Sequence, residues 1–311
     1  MQHVYRLADA TPAAPTIVAI GVFDGVHRGH QYLLRDLVTT ANRQGCVPTV
    51  LTFFPHPDVV LGKAEARIYL SSPEERAALL GELGVELVVT HPFDEEVRQI
   101  RAADFVDGLV HYLRVREVWV GADFALGYKR EGNVDFLRAQ GEHKGFKLEV
   151  IELLTNENSG RIISSNGIRA ALDRGDIEQV NRWLGRPFKL AGEIVRGDGR
   201  GRKIGFPTAN MDIWHEQMLP ARGVYAGWAH LGEKRYMAVA NVGRRPTFRG
   251  RVVRVEVHLL DFDRDIYGET LTFEFITRLR QETRFENVEA LVAQIHRDVA
   301  RGREVLEEQS P

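Results

Sequence analysis

His27 and His30 lie three positions apart in the run Gly21-Val22-Phe23-Asp24-Gly25-Val26-His27-Arg28-Gly29-His30, a spacing that puts two imidazoles on one face of a helix. The apolar stretch Thr16 to Ile20 before them reads as a buried parallel strand, and Gln31 to Val38 after them carries apolar residues at helical spacing. The histidines therefore open a helix. Its free N–H groups and the positive end of its macrodipole form a seat for an anion such as a phosphate, to which both rings can donate. Gly29 leaves room for phosphate oxygens to approach the backbone, and Gly21 and Asp24 belong to the same turn. The chemistry that suits this pattern is the binding and transfer of phosphate-containing groups.

Three further segments leave strands or open helices: Thr52-Phe53-Phe54-Pro55-His56-Pro57, Gly121-Ala122-Asp123-Phe124-Ala125-Leu126-Gly127 and Ser164-Ser165-Asn166-Gly167-Ile168-Arg169. Arg169 can grip a phosphate bidentately, and Ser164 and Ser165 can cap a helix and offer hydroxyls. Asp123 is equally a residue that a simple turn uses, and Phe54 one that a core uses. The elements that must position them are legible. Pro48 to Phe54, Glu86 to Thr90, Glu117 to Gly121 and Phe146 to Leu154 read as strands, with helices over Ser72 to Gly81 and Ala103 to Leu113 between them. This alternation predicts a Rossmann-like α/β domain, a parallel sheet with helices on both faces, whose ligands sit beyond the C-terminal strand ends.

Near Trp183-Leu184-Gly185-Arg186-Pro187 the pattern changes, which places a domain boundary there and divides the chain into 1–185 and 186–311. Downstream, Gly223 to Ala229, Tyr236 to Asn241, Val252 to Leu260 and Glu269 to Ile276 alternate with period two between Gly-rich and charged turns, as strands of a small antiparallel β-barrel do. After Phe285, the positions Val288, Leu291, Val292, Ile295, Val299 and Val305 recur at helical spacing and predict a C-terminal helix whose stripe packs as core. The run Gly197 to Asn210 holds Gly199, Gly201 and Gly205 but lacks the Gly-Lys-Ser/Thr ending of a Walker A loop, so the glycines alone read as a surface loop.

The 311 residues carry 41 Lys and Arg against 43 Asp and Glu, a net charge of −2, so no global field favours nucleic acid or an anionic membrane. The single Cys46 excludes an internal disulfide, and no cysteine cluster or His-Glu-x-x-His zinc pattern is present. The N-terminus lacks a basic segment followed by an apolar run, and no apolar stretch reaches the roughly 18 residues of a membrane span. The expectation is a cytoplasmic protein with neither nucleic acid nor membrane as partner. Nothing in the pattern fixes its oligomeric state.

Taken in order along nearly the whole chain, these motifs resemble the bacterial bifunctional riboflavin kinase and FMN adenylyltransferase family, the FAD synthetases. In the first half the likeness rests on His27-Arg28-Gly29-His30, Pro55-His56-Pro57, Gly121-Ala122-Asp123-Phe124 and the Ser164 to Arg169 segment. In the second it rests on Pro207-Thr208-Ala209-Asn210, Leu219-Pro220 with Gly223 to Ala226, Asn241 to Phe248, Glu256-Val257-His258, Asp261-Phe262 and Tyr267-Gly268.

The resemblance implies phosphorylation of riboflavin by ATP in the barrel. A second ATP then donates its adenylyl group to FMN in the α/β domain, giving FAD and pyrophosphate. By the same likeness His27, His30 and Arg169 supply donors for the leaving pyrophosphate, Gly21, Gly29, Ser164 and Ser165 bind ATP, and Asp24 and Asp123, in the same ATP- and phosphate-binding group, position nucleotide or metal. Phe54, Pro55, His56 and Pro57 line the flavin. In the barrel, Thr208 and Asn210 give oxygens to Mg²⁺, and the loop holding Gly199, Gly201 and Gly205 covers the ATP phosphates. Glu256 serves as base toward the ribityl 5′-hydroxyl, a poor nucleophile at neutral pH. A flavin-binding sensor without turnover would have no need of the acid, metal and histidine positions together.

Overall fold

The apolar runs of the first half become strands β1 (Gln2–Val4), β2 (Thr16–Ile20), β3 (Val47–Phe54), β4 (Leu87–Pro92), β5 (Val115–Gly121) and β6 (Lys147–Ile151). The computed structural model describes residues 1–62, 68–151, 163–197, 199–247 and 250–308, and they divide into two compact units, Met1–Ser165 and Asn166–Pro311. Positions 152–154 of the expected last strand lie outside the described residues. Between the strands run α1 (Arg28–Gln44), α2 (Pro57–Val60), α3 (Pro73–Glu82), α4 (Glu95–Gln99), α5 (Ala102–Leu113) and α6 (Val134–Lys144).

The sheet order is β1-β4-β3-β2-β5-β6, and every pairing is parallel. Strand β2 is buried at all its positions, which explains a sequence that is apolar almost throughout rather than alternating. Ile17 and Ala19 face the layer containing Leu34 and Leu37 of α1 and Leu80 of α3; Val18 and Ile20 face the layer of Phe105, Val106 and Leu109 of α5. Helix boundaries follow local chemistry. Ser72 caps α3 by accepting the Glu75 amide at 3.1 Å ahead of Pro73, and Gly45 ends α1 in the left-handed region at φ +64°. The chain leaves β2 toward β3 and later returns to its other side with β5. The crevice beyond the C-terminal ends of β2 and β5 is therefore the topological switch point at which such sheets bind ligands.

In the second unit, α7 (Ser165–Arg174) and α8 (Ile177–Leu184) precede strands β7 (Phe188–Val195), β8 (Ala209–Ile213), β9 (Gly223–Leu231), β10 (Lys234–Thr247), β11 (Gly250–Leu259) and β12 (Thr270–Gln281). A short helix, α9 (Arg200–Lys203), lies between β7 and β8, and α10 (Val288–Glu308) closes the unit. The six strands form a closed antiparallel barrel in the order β10-β11-β8-β7-β12-β9. Leu271, Phe273 and Phe275 of β12 are fully buried, with the Phe273 and Phe275 rings edge-on at 4.7 Å.

The compact unit begins upstream of the 185/186 change in sequence pattern because barrel residues hold the helix pair. The Asn181 side chain donates to the Phe275 carbonyl and accepts the Phe188 amide, each at 2.8 Å, and Arg278 donates to the Arg174 carbonyl at 3.1 Å.

The C-terminal helix is where expected, but its apolar stripe is not core throughout. Val288 is 55% exposed, and Leu291, Val292, Ile295, Val299 and Val305 are only half-buried. Full burial falls instead to Asp298, Gly302 and Leu306. The helix lies on the outside of the barrel against β9, β10 and β12, and a cylinder resting on a convex surface buries only a narrow strip. Gly302 permits the approach, since a Cβ there would sit 2.9 Å from Val239 Cγ2. Arg280 finds its partner on this helix: Nε donates to both oxygens of Asp298 at 3.0 Å. No helix among the described residues is long and apolar enough to cross a membrane.

Candidate active sites

The first constellation is built at the end of β2. His27 is the N-cap of α1, and its Nδ1 accepts the amide of His30 at 3.4 Å, a capping role usually taken by Ser, Thr, Asp or Asn. The two rings stack at 3.6 Å with an interplanar angle of 19°, and the Phe23 ring stands edge-on to His30 at 5.0 Å. Burial, followed by the neighbouring His27 and Arg76, pushes the His30 pKa well below its ordinary 6.5, so its ring is neutral at pH 7. His30 Nδ1 is buried without a hydrogen-bond partner among the described residues. An orphaned buried nitrogen at a helix N-terminus is the sort of group a ligand answers.

The remaining expected residues of this unit fall into two groups. Gly29 lies against both the His27 ring and the chain before α7, since a Cβ there would be 3.1 Å from His27 Cε1 and 3.6 Å from the Ile163 carbonyl. Gly21 is similarly close to the Phe23 ring, with a Cβ 3.1 Å from Cε2. Ser165 Oγ donates to the Asp24 carbonyl at 2.9 Å, which ties the Ser164-Ser165 segment to the histidine turn. Asp24 itself is 1% exposed, and its carboxylate accepts the amides of Leu70 and Ser71. It acts as an organiser of the turn.

Asp123 follows β5 and is exposed, with its carbonyl accepting Arg130 Nη2 at 2.9 Å. Phe54, Pro55, His56 and Pro57 are half-buried. The Phe54 ring lies 5.4 Å from that of Tyr69, whose hydroxyl accepts the His56 amide at 2.6 Å. His56 Nδ1 in turn accepts the Asp58 amide at 3.0 Å. Arg169 belongs to the second unit, where Nη1 donates to Asn166 Oδ1 at 2.6 Å, so the Ser164 to Arg169 segment straddles the division.

Sequence reading missed Arg76, Tyr69 and Ser71, the buried polar groups behind the turn. One signal was present: Arg76 lies one helical turn before Leu80, on the face of α3 that has to be apolar.

The second constellation lies on the barrel. Asn210 of β8 and Glu256 of β11 are directly opposite in the antiparallel ladder, and Asn241 of β10 is opposite Glu256 on its other side. Residues so paired project to the same face. Thr208 immediately precedes β8. Asn210 is 8% exposed, and its Oδ1 is buried without a hydrogen-bond partner among the described residues. The Gly-rich segment lies against these groups: a Cβ on Gly197 would be 2.3 Å from Asn210 Nδ2, and one on Gly201 would be 2.3 Å from the Phe206 carbonyl and 3.3 Å from Thr208 Oγ1.

Gly199 and Gly205 have φ of +66° and +87°, conformations that glycine adopts without strain. His258 holds the base of the loop, with Nδ1 and the Pro207 carbonyl 2.7 Å apart. Asp198 and Phe248 of the expected motifs lie outside the described residues. An orphaned amide oxygen, a hydroxyl and a carboxylate form a donor set that fits a hard cation, which takes oxygen ligands and needs few carboxylates when phosphates complete its shell.

The fold and the two constellations define a nucleotidyltransferase joined to a phosphotransferase barrel. The chain matches the FAD synthetase family over residues 9–166 and the riboflavin kinase family over residues 184–306. A bifunctional riboflavin kinase/FMN adenylyltransferase of Pseudomonas fluorescens is 39% identical over 306 residues, covering 97% of each chain. That of Escherichia coli strain K12 is 38% identical, covering 98% of this chain and 96% of its own. A crystal structure described as a macrolide-efflux protein from Streptococcus pneumoniae shares the fold with a TM-score of 0.87 at 29% identity, covering 97% of this chain and 98% of that one. The chain belongs to the bifunctional riboflavin kinase/FMN adenylyltransferase family.

Proposed function

We propose a division of labour for the two activities of this family: the barrel transfers the γ-phosphoryl group of ATP to riboflavin, and the α/β unit transfers the adenylyl group of a second ATP to FMN. The observation that carries the first half is the register that sets Glu256 opposite Asn210. Glu256 accepts the proton of the ribityl 5′-hydroxyl as its oxygen attacks phosphorus and ADP leaves. Thr208 and Asn210 are the residues that would hold Mg²⁺. Bound there, the ion offsets negative charge on the phosphates. The glycines at 199, 201 and 205 let the loop backbone lie close over the nucleotide.

In the α/β unit FMN brings an anionic phosphate that needs no strong base, so the chain's work is alignment and charge stabilisation. The FMN phosphate attacks the α-phosphorus of ATP, and pyrophosphate departs toward His27 and His30, whose rings donate N–H bonds to the growing charge. Arg169 keeps the phosphate-gripping role implied by its sequence segment, with Ser164, Ser165 and Asp123 as further nucleotide contacts. Phe54, Pro55, His56 and Pro57 provide a wall for the flavin ring. Asp24 serves from behind as a scaffold. The need for two ATP molecules per FAD supports a cytoplasmic place of work.

Purified protein incubated with riboflavin, ATP and Mg²⁺, with the flavins resolved by chromatography, tests the reading. FMN is expected first and FAD after it. Absence of either product from folded protein would remove the corresponding half.

A further inference from the structure

Arg76 is 0% exposed, on the face of α3 that packs against the sheet. A guanidinium buried there has to be answered by polar groups. Its Nη1 donates to the Val22 carbonyl at 3.0 Å and to Thr52 Oγ1 at 3.2 Å, while Nη2 lies 3.5 Å from Asp24 Oδ1. Thr52 Oγ1 donates to the same Val22 carbonyl at 2.7 Å, so two side chains grip the backbone just upstream of the histidines. The Asp24 carboxylate also receives the Ser71 hydroxyl at 3.3 Å, and Ser71 Oγ accepts the Gly25 amide at 3.0 Å. One buried charge network thus holds the turn from Val22 to Val26 at Val22, Asp24 and Gly25.

That turn is strained. Phe23 and Val26, neither of them glycine, have φ of +52° and +41°. Side-chain-bearing residues hold such angles only where the surroundings over-determine them. Phe23 meets the His30 ring edge-on at 5.0 Å, and Val26 immediately precedes the capping His27. A relaxed turn would therefore move both imidazoles.

We propose that Arg76 is a positioning residue for adenylyl transfer: through Asp24 and the Val22 carbonyl it holds the strained turn that aims His27 and His30 at the polyphosphate. This rests on the reading of that histidine pair as the phosphate-handling groups. Arg76 touches no reacting atom in this role. Lysine would keep the charge but, with all its donors on one compact nitrogen, cannot span Val22, Thr52 and Asp24 as a planar fork does.

The test uses the full chain with FMN, ATP and Mg²⁺, comparing Arg76→Met, Arg76→Lys, Asp24→Asn, the Asp24→Asn/Arg76→Met double variant and His30→Ala. A thermal melt and circular dichroism of each variant report whether the fold is intact. Misplacement of aligned groups by a relaxed turn is expected to lower kcat for FAD formation about 100-fold in Arg76→Met, with KM for ATP changed less than about threefold. Arg76→Lys should recover part of that kcat. The double variant should be no slower than the worse single one, because both act on one turn.

A kcat within about twofold of the parent in Arg76→Met, or fully additive losses in the double variant, would overturn the inference. Should Arg76→Met unfold, the partial, kcat-confined defect of Arg76→Lys decides the matter, and its absence counts against the proposal. His30→Ala separates the two levels. If it retains FAD formation, the histidine reading falls; if it is inactive while the Arg76 variants are not, only the role of Arg76 falls.

Discussion

His27 caps the helix on which His30 rides: one imidazole accepts the other residue's amide at 3.4 Å while the rings stack at 3.6 Å. The capping bond uses Nδ1 of His27 as an acceptor, which places the proton of that ring on Nε2. Each histidine thus depends on the other for its placement.

His30→Ala is expected to lower FAD formation from supplied FMN by about 100-fold or more, the usual cost of deleting a donor to developing charge. FMN formation from riboflavin should persist, since its groups lie on the barrel. Separate assays of the two half-reactions, with flavins quantified by chromatography, check this. Equal loss of both would contradict the assignment.

Glu256→Gln keeps the shape opposite Asn210 but removes the proton acceptor. Riboflavin phosphorylation should fall by about 10²- to 10⁴-fold, the range ascribed to general base catalysis. FAD formation from FMN should be unaltered. Kinase turnover within about twofold of the parent would refute the base role.

Gly201→Ala places a Cβ 2.3 Å from the Phe206 carbonyl, against backbone that has no rotamer to yield. The loop must shift away from Thr208. Kinase kcat/KM for ATP is expected to drop about tenfold or more, with the melting temperature little changed because the loop is at the surface. A steady-state ATP titration beside a thermal melt measures both quantities.

Acid should destabilise the fold through its buried imidazoles. His30, His3 and His91 are all lowered from 6.5, chiefly by desolvation. The folded form therefore binds fewer protons than the unfolded chain once pH drops below the unfolded value. Their contribution is full above about pH 6.5 and is lost as pH falls through the lowered folded values. The melting temperature should decline from about pH 7.5 to about pH 5.5, and His30→Gln should flatten the decline. An unchanged slope in that variant would show that His30 carries none of it.

Arg280 and Asp298 pair at 2.8 to 3.0 Å, with the carboxylate side chain only 6% exposed, and they join β12 to α10. Arg280→Met should cost about 3 kcal/mol, as for other buried pairs broken from one side. Chemical denaturation followed by tryptophan fluorescence would report it. A smaller cost is expected for Asp298→Asn, because Gln294 and Arg280 can still donate to the remaining oxygen.

Local pattern carried much of this protein. The all-apolar run of β2, the helix after it and the Ser72-Pro73 start of α3 are consequences of what lies within a few residues, so they were legible directly. The chemistry proposed for His27 and His30 came from their types and spacing, and that for Thr208, Asn210 and Glu256 from the family resemblance. β9 was less transparent: it read as alternating, yet it is buried on both faces because its outer side receives α10. The same packing left Val288 exposed and buried Asp298.

What only tertiary structure decided is who stands beside whom. No local period encodes that Glu256 pairs with Asn210, that Arg76 reaches Asp24 and Val22, or that Arg280 finds Asp298. Side-chain periodicity reports the face on which a residue lies, whereas partners distant in sequence are chosen when the barrel closes in one register and helices settle on the sheet. The sequence by itself determined the elements and the chemistry available at their ends; the folded chain determined which of those groups meet.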